Sequence, residues 1–201
     1  DIKFKPDTDG IIPILDGEWF EDDIVARIRK FLEVNFSVDT VNENIRFIEN
    51  AIGKDIRKYF FKDFFKDHRK TYNKRPIYWM VQSPNGSFAC LIYIHRYTPD
   101  TFLQVLNNYL RPYLQKLEAR LIQLETDQIN DSLEKNERIN ARKESDKIIR
   151  VIKECQRWER DALLPIAQQR IRLDLDDGVK VNYLKLQKVL AKNPDIKSKG
   201  S

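Results

Sequence analysis

The feature that most constrains this chain is the long stretch between Pro112 and Pro165, which contains neither glycine nor proline. Leucines introduce it at alternating spacings of four and three, at Leu110, Leu114, Leu117, Leu121 and Leu124. Such spacing places the side chains on one face of a helix, as in the seam of a coiled coil. A stretch of this length without helix-breaking residues predicts either one long helix or two helices folded back on each other.

The distribution of apolar residues within this stretch favours two helices. Apolar residues become sparse between about 126 and 145, and the helical periodicity resumes at Ile148, Ile152 and Cys155. We therefore predict a long antiparallel helical hairpin, similar to a coiled coil, with a polar tip near residues 131–141. A single unbroken helix remains the alternative, because no turn residue marks the tip.

A β-hairpin is predicted at about residues 76–95, where two runs of β-branched and aromatic residues flank Asn85-Gly86, a strong turn signal. The second run is apolar on both faces, so we expect helices to cover both sides of the hairpin. The predicted fold class is mainly α (α+β), a helical domain around an antiparallel β-hairpin with a projecting helical-hairpin arm.

Three helices are predicted before the hairpin, over residues 19–34, 40–52 and 54–72. Gly53 would end the second of them. On the third, phenylalanines and His68 fall on one face and lysines on the other. Much of the chain's net charge of +5 is concentrated there, and a basic helix face can follow a phosphate backbone. The candidate DNA phosphate contacts, called here the predicted contact set, are Lys58, Lys62, Lys66, Arg69, Lys70, Lys74 and Arg75. The ordinary alternative for such residues is a solvated surface.

These patterns give a provisional organisation of the chain. Residues 1–17 would form an N-terminal connecting arm, and residues 18–110 a helical domain that contains the β-hairpin. Residues 111–172 would form the long helical hairpin, and residues 173–192 a C-terminal turn and a short helix that packs back. A disordered tail is predicted over residues 193–201.

Several classes of protein and site are disfavoured. No apolar run approaches the roughly 20 residues of a membrane span, and no secretory signal is visible, so we expect a cytoplasmic protein. The 6 glycines are too scattered for a nucleotide-binding loop. Cys90 and Cys155 lack the partners and spacing of a zinc site or a disulfide scaffold.

The sequence offers no catalytic, cofactor-binding or metal-binding residue. His68 and His95 are the only histidines, and packing or hydrogen bonding explains both better than catalysis does. Asp174, Asp176 and Asp177 could suggest a calcium loop, but the twelfth residue from Asp174 is Lys185 rather than glutamate. Turn formation is the better explanation for these aspartates.

Three stretches resemble a known family. They are Gly17-Glu-Trp-Phe-Glu-Asp-Asp23, then Tyr59-Phe-Phe-Lys-Asp-Phe-Phe-Lys-Asp-His68 leading into Lys74-Arg-Pro-Ile-Tyr-Trp79, and Arg170-Ile-Arg-Leu-Asp-Leu-Asp-Asp-Gly-Val-Lys-Val-Asn-Tyr183. The shorter stretches Tyr93-Ile-His-Arg-Tyr97 and Asn108-Tyr-Leu-Arg-Pro112 lie between the last two. Together, from about residue 10 to 188, they resemble the C-terminal region of PglX, the adenine-specific DNA methyltransferase family of BREX phage-defence systems. That family is similar in layout to fused type II restriction-modification enzymes.

The resemblance implies a fragment whose chemistry lies upstream. The family's S-adenosylmethionine loop and its Asn-Pro-Pro-aromatic motif are both missing, and Asn193-Pro194-Asp195-Ile196 matches the motif only in its first two residues. The implied function is a DNA-contacting accessory region, not catalytic by itself, with double-stranded DNA and the enzyme's own methyltransferase core as partners. The alternative is a helical scaffold that docks the core or another BREX subunit. S-adenosylmethionine is expected only for the parent enzyme.

Overall fold

The computed structural model describes residues 8–196, in which helices surround one small antiparallel sheet. The strands are β1 (Ile11–Pro13), β2 (Tyr78–Gln82) and β3 (Ala89–Tyr93), in the spatial order β1-β3-β2. The nine stretches of α-helix among the described residues are α1 to α9, with the bounds given below. The predicted fold class, mainly α with an α+β character, is confirmed.

Strands β2 and β3 form the predicted β-hairpin. Their antiparallel register runs from Tyr78 opposite Tyr93 to Gln82 opposite Ala89, which leaves residues 83–88 as the connecting loop. Gly86 has a φ of +78°, and its N–H donates to the Ser83 carbonyl at 2.9 Å. Asn85-Gly86 therefore makes a tight turn, as expected, but inside a longer loop.

Both ends of the described chain contribute to this sheet. Within the region predicted as a connecting arm, β1 pairs with β3, with Ile11 opposite Ile92. Along the other side of β2, the Gln82 N–H donates to the Val189 carbonyl at 3.0 Å, and the Ala191 N–H donates to the Met80 carbonyl at 2.8 Å. The hairpin is thus flanked on both sides by backbone from distant parts of the sequence.

The N-terminal helices are α1 (Ile24–Asn35), α2 (Val41–Ile52), α3 (Ile56–Lys62) and α4 (Phe64–Thr71). Helix α1 begins later than predicted because Asp23 is its N-cap and accepts hydrogen bonds from the N–H groups of Val25 at 2.9 Å and Ala26 at 3.0 Å. Gly53, with a φ of +70°, ends α2 as predicted.

The single helix predicted over residues 54–72 is wrong. Asp55 is an N-cap that accepts from the Lys58 N–H at 3.1 Å, so α3 can begin only after it. At Asp63 the backbone φ is −116°, far from the value of about −63° in a regular α-helix, and the Lys54 ammonium pairs with the Asp63 carboxylate at 2.6 Å. The break divides the predicted basic face between α3 and α4.

The long stretch without glycine or proline forms a helical hairpin. Helix α6 (Arg111–Ile129) and helix α7 (Lys135–Trp158) are joined by residues 130–134. Arg120 pairs with Glu144 at 2.9 Å, and Arg111 pairs with Glu159 at 2.9 Å nearer the base, so the two helices run antiparallel. The single-helix alternative is excluded.

The tip of this hairpin turns without glycine because side chains satisfy the helix ends. Glu134 and Glu137 form a capping box at the start of α7, in which the Glu134 N–H donates to the Glu137 carboxylate at 2.9 Å. The Asn130 side-chain oxygen accepts from the Ser132 N–H at 3.0 Å. The turn lies at the early edge of the predicted tip.

Short helices continue both arms of the hairpin at its base. The π-helical segment Val105–Leu110 joins α5 (Thr101–Gln104) to α6, and the π-helical segment Glu159–Leu163 joins α7 to α8 (Leu164–Gln169). Pro112 and Pro165 follow these segments within two residues. Proline lacks an N–H and crowds the carbonyl of the preceding turn, and a wider turn there accommodates it.

The core lies where the sheet meets the base of the hairpin. Trp79, Met80 and Val81 are at most 4% exposed, so both faces of β2 are covered, as predicted. Phe88 contacts Tyr113 of α6 and Trp158 of α7, with ring centroids 6.1 Å and 5.9 Å apart. The heptad leucines face inward; Leu110, Leu117 and Leu124 are at most 1% exposed.

The chain closes with α9 (Gly178–Leu186), whose Tyr183 ring lies 5.1 Å from Trp79. Of the tail predicted as disordered over residues 193–201, residues 193–196 are described and lie against the protein. Asn193 is buried, and Ile196 packs against the core. Residues 197–201 lie outside the described residues.

Candidate nucleic-acid interface

The structure distributes the predicted contact set over two helices and the loop after them. Lys58 and Lys62 lie on α3, Lys66, Arg69 and Lys70 lie on α4, and Lys74 and Arg75 follow α4. Six of these residues are exposed, and Arg69 is the exception. The amphipathic pattern of the sequence therefore located the lysines on the surface correctly, although two short helices carry them.

Arg69 is largely engaged within the protein. Its guanidinium pairs with the Asp195 carboxylate at 3.1 Å and lies 5.8 Å from the centre of the Phe65 ring, and only 12% of its side chain is exposed. The Arg69 Nε is buried and has no hydrogen-bond acceptor among the described residues. Lys74 lies 3.7 Å from the other oxygen of Asp195. Asp195 thus partly neutralises two members of the predicted contact set.

A groove of about 650 Å³ runs between α3 and α4 on one side and the C-terminal segment on the other. We call it the basic groove. Its cations are Lys62, Lys66, Arg69, Lys188 and Lys192, and the described residues that line it include no carboxylate. Lys188 and Lys192 escaped the sequence analysis because they lie more than a hundred residues beyond α4, and only the pairing of residues 189–191 with β2 brings them there.

Four members of the predicted contact set do not line this groove: Lys58, Lys70, Lys74 and Arg75. They are exposed elsewhere around the same two helices and the following loop. The structure therefore brings together only part of the set and adds two lysines that the helix pattern could not reveal.

The floor of the basic groove is apolar and aromatic. Phe61, Phe65, Met80 and Leu190 line it, together with the polar side chains of Gln82, Ser83 and Gln187. Phe65 and Met80 are buried, whereas Phe61 keeps part of its ring exposed. Such a lining offers cations for phosphates and flat apolar surface for a ring.

Phe61 also lines a second space, the adjoining cavity, of about 420 Å³. Its walls come from the N-terminal segment, the hairpin loop and helices α6 and α7, and include Trp19, Tyr113 and Lys147. The Trp19 and Tyr113 rings meet edge to face, with centroids 5.5 Å apart. Its carboxylates have cationic partners, since Asp16 pairs with Lys147 at 3.3 Å and Glu144 pairs with Arg120.

His68 lies beneath this surface, and its contacts within the protein are structural. Its ring Nε2 accepts hydrogen bonds from the N–H groups of Tyr78 at 3.0 Å and Ile77 at 3.2 Å, and its ring stacks on Phe64 with centroids 5.2 Å apart. Burial lowers the pKa of His68, which favours the neutral ring that can accept these bonds. The side chain therefore joins α4 to the start of β2.

Both cysteines are buried, and their thiols are unreactive. Burial raises the pKa of the Cys90 thiol well above its usual range and raises the pKa of Cys155 to about 12. A thiol with a raised pKa is a poor nucleophile because little thiolate is present. Among residues 8–196, no cluster of three or more His, Cys, Asp or Glu side chains is placed to hold a metal ion.

The acidic residues before α9 form a turn. The Asp174 carboxylate accepts from the Asp176 N–H at 3.0 Å, and the Asn182 side chain donates to the carbonyls of Asp174 and Gly178.

Within the described part of the chain, no helix is both long and apolar enough to cross a membrane.

Comparison with known proteins adds an independent observation. No protein-family model matches the chain. The chain is 37% identical to the adenine-specific methyltransferase BrxX of Escherichia coli O9:H4 (strain HS), over 97% of its own length and 17% of the relative's. It is also 37% identical to the adenine-specific methyltransferase PglX of Lacticaseibacillus casei (strain Zhang), over 92% of its own length and 16% of the relative's.

The chain thus spans about one sixth of the curated relatives that it matches. The similarity covers the three stretches that suggested the PglX family, together with the helices and strands between them. Over nearly its whole length, therefore, this chain is a relative of one segment of the BREX adenine-specific methyltransferases PglX and BrxX.

Proposed function

We propose that this chain is a DNA-contacting accessory region of an adenine-specific DNA methyltransferase of a BREX phage-defence system, and that it is not catalytic by itself. The observation that carries the proposal is the basic groove, where lysines from two distant parts of the sequence converge and the described lining residues include no carboxylate. Converging cations of this kind bind a phosphate backbone and release its counterions. The names of the two relatives, both adenine-specific methyltransferases, supply the reaction class.

In this proposal the remaining five sixths of a PglX-like polypeptide carry the methyltransferase core and bind S-adenosylmethionine. The proposed region corresponds to the C-terminal part of such an enzyme, acts on double-stranded DNA in the cytoplasm, and holds the DNA backbone while the core acts on the base. Its candidate contacts are Lys62, Lys66, Lys188 and Lys192, with Lys58, Lys70, Lys74 and Arg75 as an outer group.

Charge reversal tests the proposal. In the full-length polypeptide, Lys62→Glu with Lys66→Glu should weaken duplex DNA binding and reduce the slope of log affinity against log salt by about 2, since each phosphate contact contributes roughly one unit. Fluorescence titration at several salt concentrations measures both quantities. Lys143→Glu with Lys153→Glu is the matched control, because both lysines are exposed on α7 and the change in charge is identical. Equal weakening by both pairs, or by neither, would contradict the proposal.

A second pair of substitutions separates the groove from the rest of the basic surface. Lys188→Glu with Lys192→Glu should weaken DNA binding about as much as the first pair, because all four lysines line one groove. If Lys58→Glu with Lys70→Glu weakens binding more than either groove pair, the DNA lies on the outer group instead.

A scaffold function is the alternative, and exposed isoleucines on the helical hairpin favour it. Ile122 and Ile129 are 66% and 79% exposed and lie seven residues apart on α6, while Ile139 of α7 is 42% exposed. An apolar stripe at that spacing can dock a methyltransferase core or another BREX subunit. Deleting residues 127–144 should then abolish complex formation in a pull-down and leave DNA affinity unchanged. Retained assembly would count against the scaffold.

A further inference from the structure

We propose that the basic groove and the adjoining cavity form one channel for an unpaired DNA strand, with Phe61 and Trp19 as stacking surfaces for its bases. This inference rests on the proposed DNA contact and specifies which form of DNA the site takes. The observation behind it is that Phe61 lines both spaces, with one continuous segment, residues 82–87, running along the two of them. A strand that leaves the basic groove past this ring enters a space lined by Trp19.

The composition of the lining favours an unpaired strand over a duplex. A duplex presents its phosphates on the outside and stacks its bases inside, so an exposed lysine surface is sufficient for it. The basic groove and the adjoining cavity instead combine cations with partly exposed aromatic rings. Proteins that bind single strands use the same combination, a positive groove that follows the backbone and aromatic rings that stack on the bases.

The dimensions are consistent with a short strand. The two spaces have volumes of about 650 Å³ and 420 Å³, each of the order of a small-molecule pocket. The cations available to phosphate lie in the groove, at Lys62, Lys66, Lys188 and Lys192. In the cavity the two carboxylates, Asp16 and Glu144, are each paired with a cation, Lys147 and Arg120, so the cavity contributes its aromatic rings rather than free charge. Gln82 and Gln187 add side-chain donors and acceptors that can meet base edges.

Trp19 provides a direct optical signal for this binding mode. Of the 3 tryptophans, Trp79 and Trp158 are 1% and 3% exposed, whereas Trp19 keeps part of its ring accessible. A base that stacks on Trp19 should quench its fluorescence, and the buried pair should contribute an unchanged background. The Trp19→Phe variant should lose the quenching when the strand is added.

The experiment titrates the whole 201-residue chain with a single-stranded oligothymidylate of about 12 nucleotides and with a duplex of equal length. We expect the single strand to bind at least about fivefold more tightly and to quench the tryptophan signal. Phe61→Leu keeps an apolar side chain of similar size and should weaken single-strand binding about tenfold, with little effect on the duplex. Phe47→Leu is the matched control, since Phe47 is 74% exposed on α2 and lines neither space.

The outcomes separate this inference from the proposed function. The proposed single-strand channel is contradicted if the duplex binds as tightly as the single strand, or if Phe61→Leu has the same effect as Phe47→Leu. Either result leaves the proposed contact with duplex DNA unaffected. If neither form of DNA binds and Lys62→Glu with Lys66→Glu changes nothing, the proposed function falls as well. Tighter binding of an oligouridylate than of the oligothymidylate would overturn the assignment to DNA.

Discussion

Glu154 of α7 is the side chain that fixes the β-hairpin loop on the helical hairpin. One carboxylate oxygen accepts from the Ser83 hydroxyl at 2.6 Å and from the Asn85 N–H at 2.8 Å, and the other accepts from the Ser87 hydroxyl at 2.5 Å. These bonds join residues about seventy positions apart in the chain. A carboxylate surrounded by donors is a positioning element, and its loss leaves several polar groups without a partner.

We predict that Glu154→Ala lowers the free energy of unfolding by about 2–3 kcal/mol, because the donors from the loop lose their charged acceptor. Glu125→Ala, at an exposed site on α6, should change it by less than about 0.5 kcal/mol. Urea denaturation at pH 7 measures both. A Glu154→Ala midpoint equal to that of the control would show that the loop is held by other contacts.

Glu154 also gives stability a dependence on acid pH. Burial opposes its ionisation, but the hydrogen bonds from Ser83, Ser87 and Asn85 outweigh burial and lower its pKa. The unfolded chain therefore takes up this proton at higher pH than the folded one, so the contribution of Glu154 is present at neutral pH and is lost as the pH falls through its lowered pKa.

His68 should add a second pH dependence at milder acidity. Burial lowers its pKa, so in the window below about pH 6.5 the unfolded chain binds a proton that the folded chain resists. We predict that stability falls between about pH 7.5 and 5.5, and that His68→Leu removes this part of the fall while costing about 1–3 kcal/mol at pH 7.5. His95→Leu, at an exposed histidine, is the control. If the pH dependence of stability is unchanged in His68→Leu, the fall in stability does not come from His68.

Asp195 should restrain the proposed DNA contact, because it pairs with Arg69 at 3.1 Å and lies 3.7 Å from Lys74. Asp195→Asn removes a negative charge beside the basic groove and leaves both cations available to phosphate. We predict that it raises DNA affinity about two- to fivefold at low salt and steepens the salt dependence. Asp146→Asn, exposed on α7, should change the affinity little. Reduced affinity in Asp195→Asn would show that the pair supports the site.

At the scale of elements, the helical hairpin depends on one apolar seam and tolerates change outside it. Leu117 and Leu124 are 1% exposed, whereas Ile122, on the same helix, is 66% exposed. The sequence spacing distinguishes the two kinds of position, because Leu117, Leu121 and Leu124 share a face that Ile122 does not.

We predict that Leu117→Ala or Leu124→Ala lowers the free energy of unfolding by about 2–5 kcal/mol, since each leaves a cavity between α6 and α7. Ile122→Ala should change it by less than about 0.5 kcal/mol. Chemical denaturation followed by circular dichroism provides the comparison. Similar losses at all three positions would mean that Ile122 is covered in solution, as the scaffold alternative requires.

At the scale of the whole molecule, the C-terminal segment completes the sheet and one wall of the basic groove. Val189 is 0% exposed and Leu190 is 6% exposed, and residues 189–191 exchange backbone hydrogen bonds with β2. We predict that a chain ending at Lys188 loses several kcal/mol of stability, because it exposes these apolar contacts and a strand edge. Hydrogen exchange at the Gln82 N–H, which donates to Val189, should accelerate most. Unchanged protection of the Gln82 N–H would contradict the conclusion that the C-terminal segment completes the sheet.

Local sequence patterns predicted much of the fold. The glycine at 86 located the hairpin turn, Gly53 located the end of α2, and the spacing of the leucines located the seam of α6. The errors came from side chains that act on the backbone. Asp23 caps α1 instead of lying inside it, and Asp55 and Asp63 divide the predicted third helix. A carboxylate near a helix start fits both a cap and a first turn, so sequence alone could not choose.

The candidate site depended more on tertiary structure. The helical periodicity of the sequence was enough to place the lysines of α3 and α4 on the surface, because this pattern depends only on residues close together in the chain. It could not show that Asp195 pairs with Arg69, or that Lys188 and Lys192 complete the groove, since those contacts span the chain. By itself the sequence determined a β-hairpin, a basic surface, the apolar seam of a long helical stretch and the likeness to PglX, and it left open whether that stretch folds back on itself. The packing of both chain ends against the sheet decided which cations share one groove, because strand pairing between distant segments follows from the whole fold and leaves no local pattern.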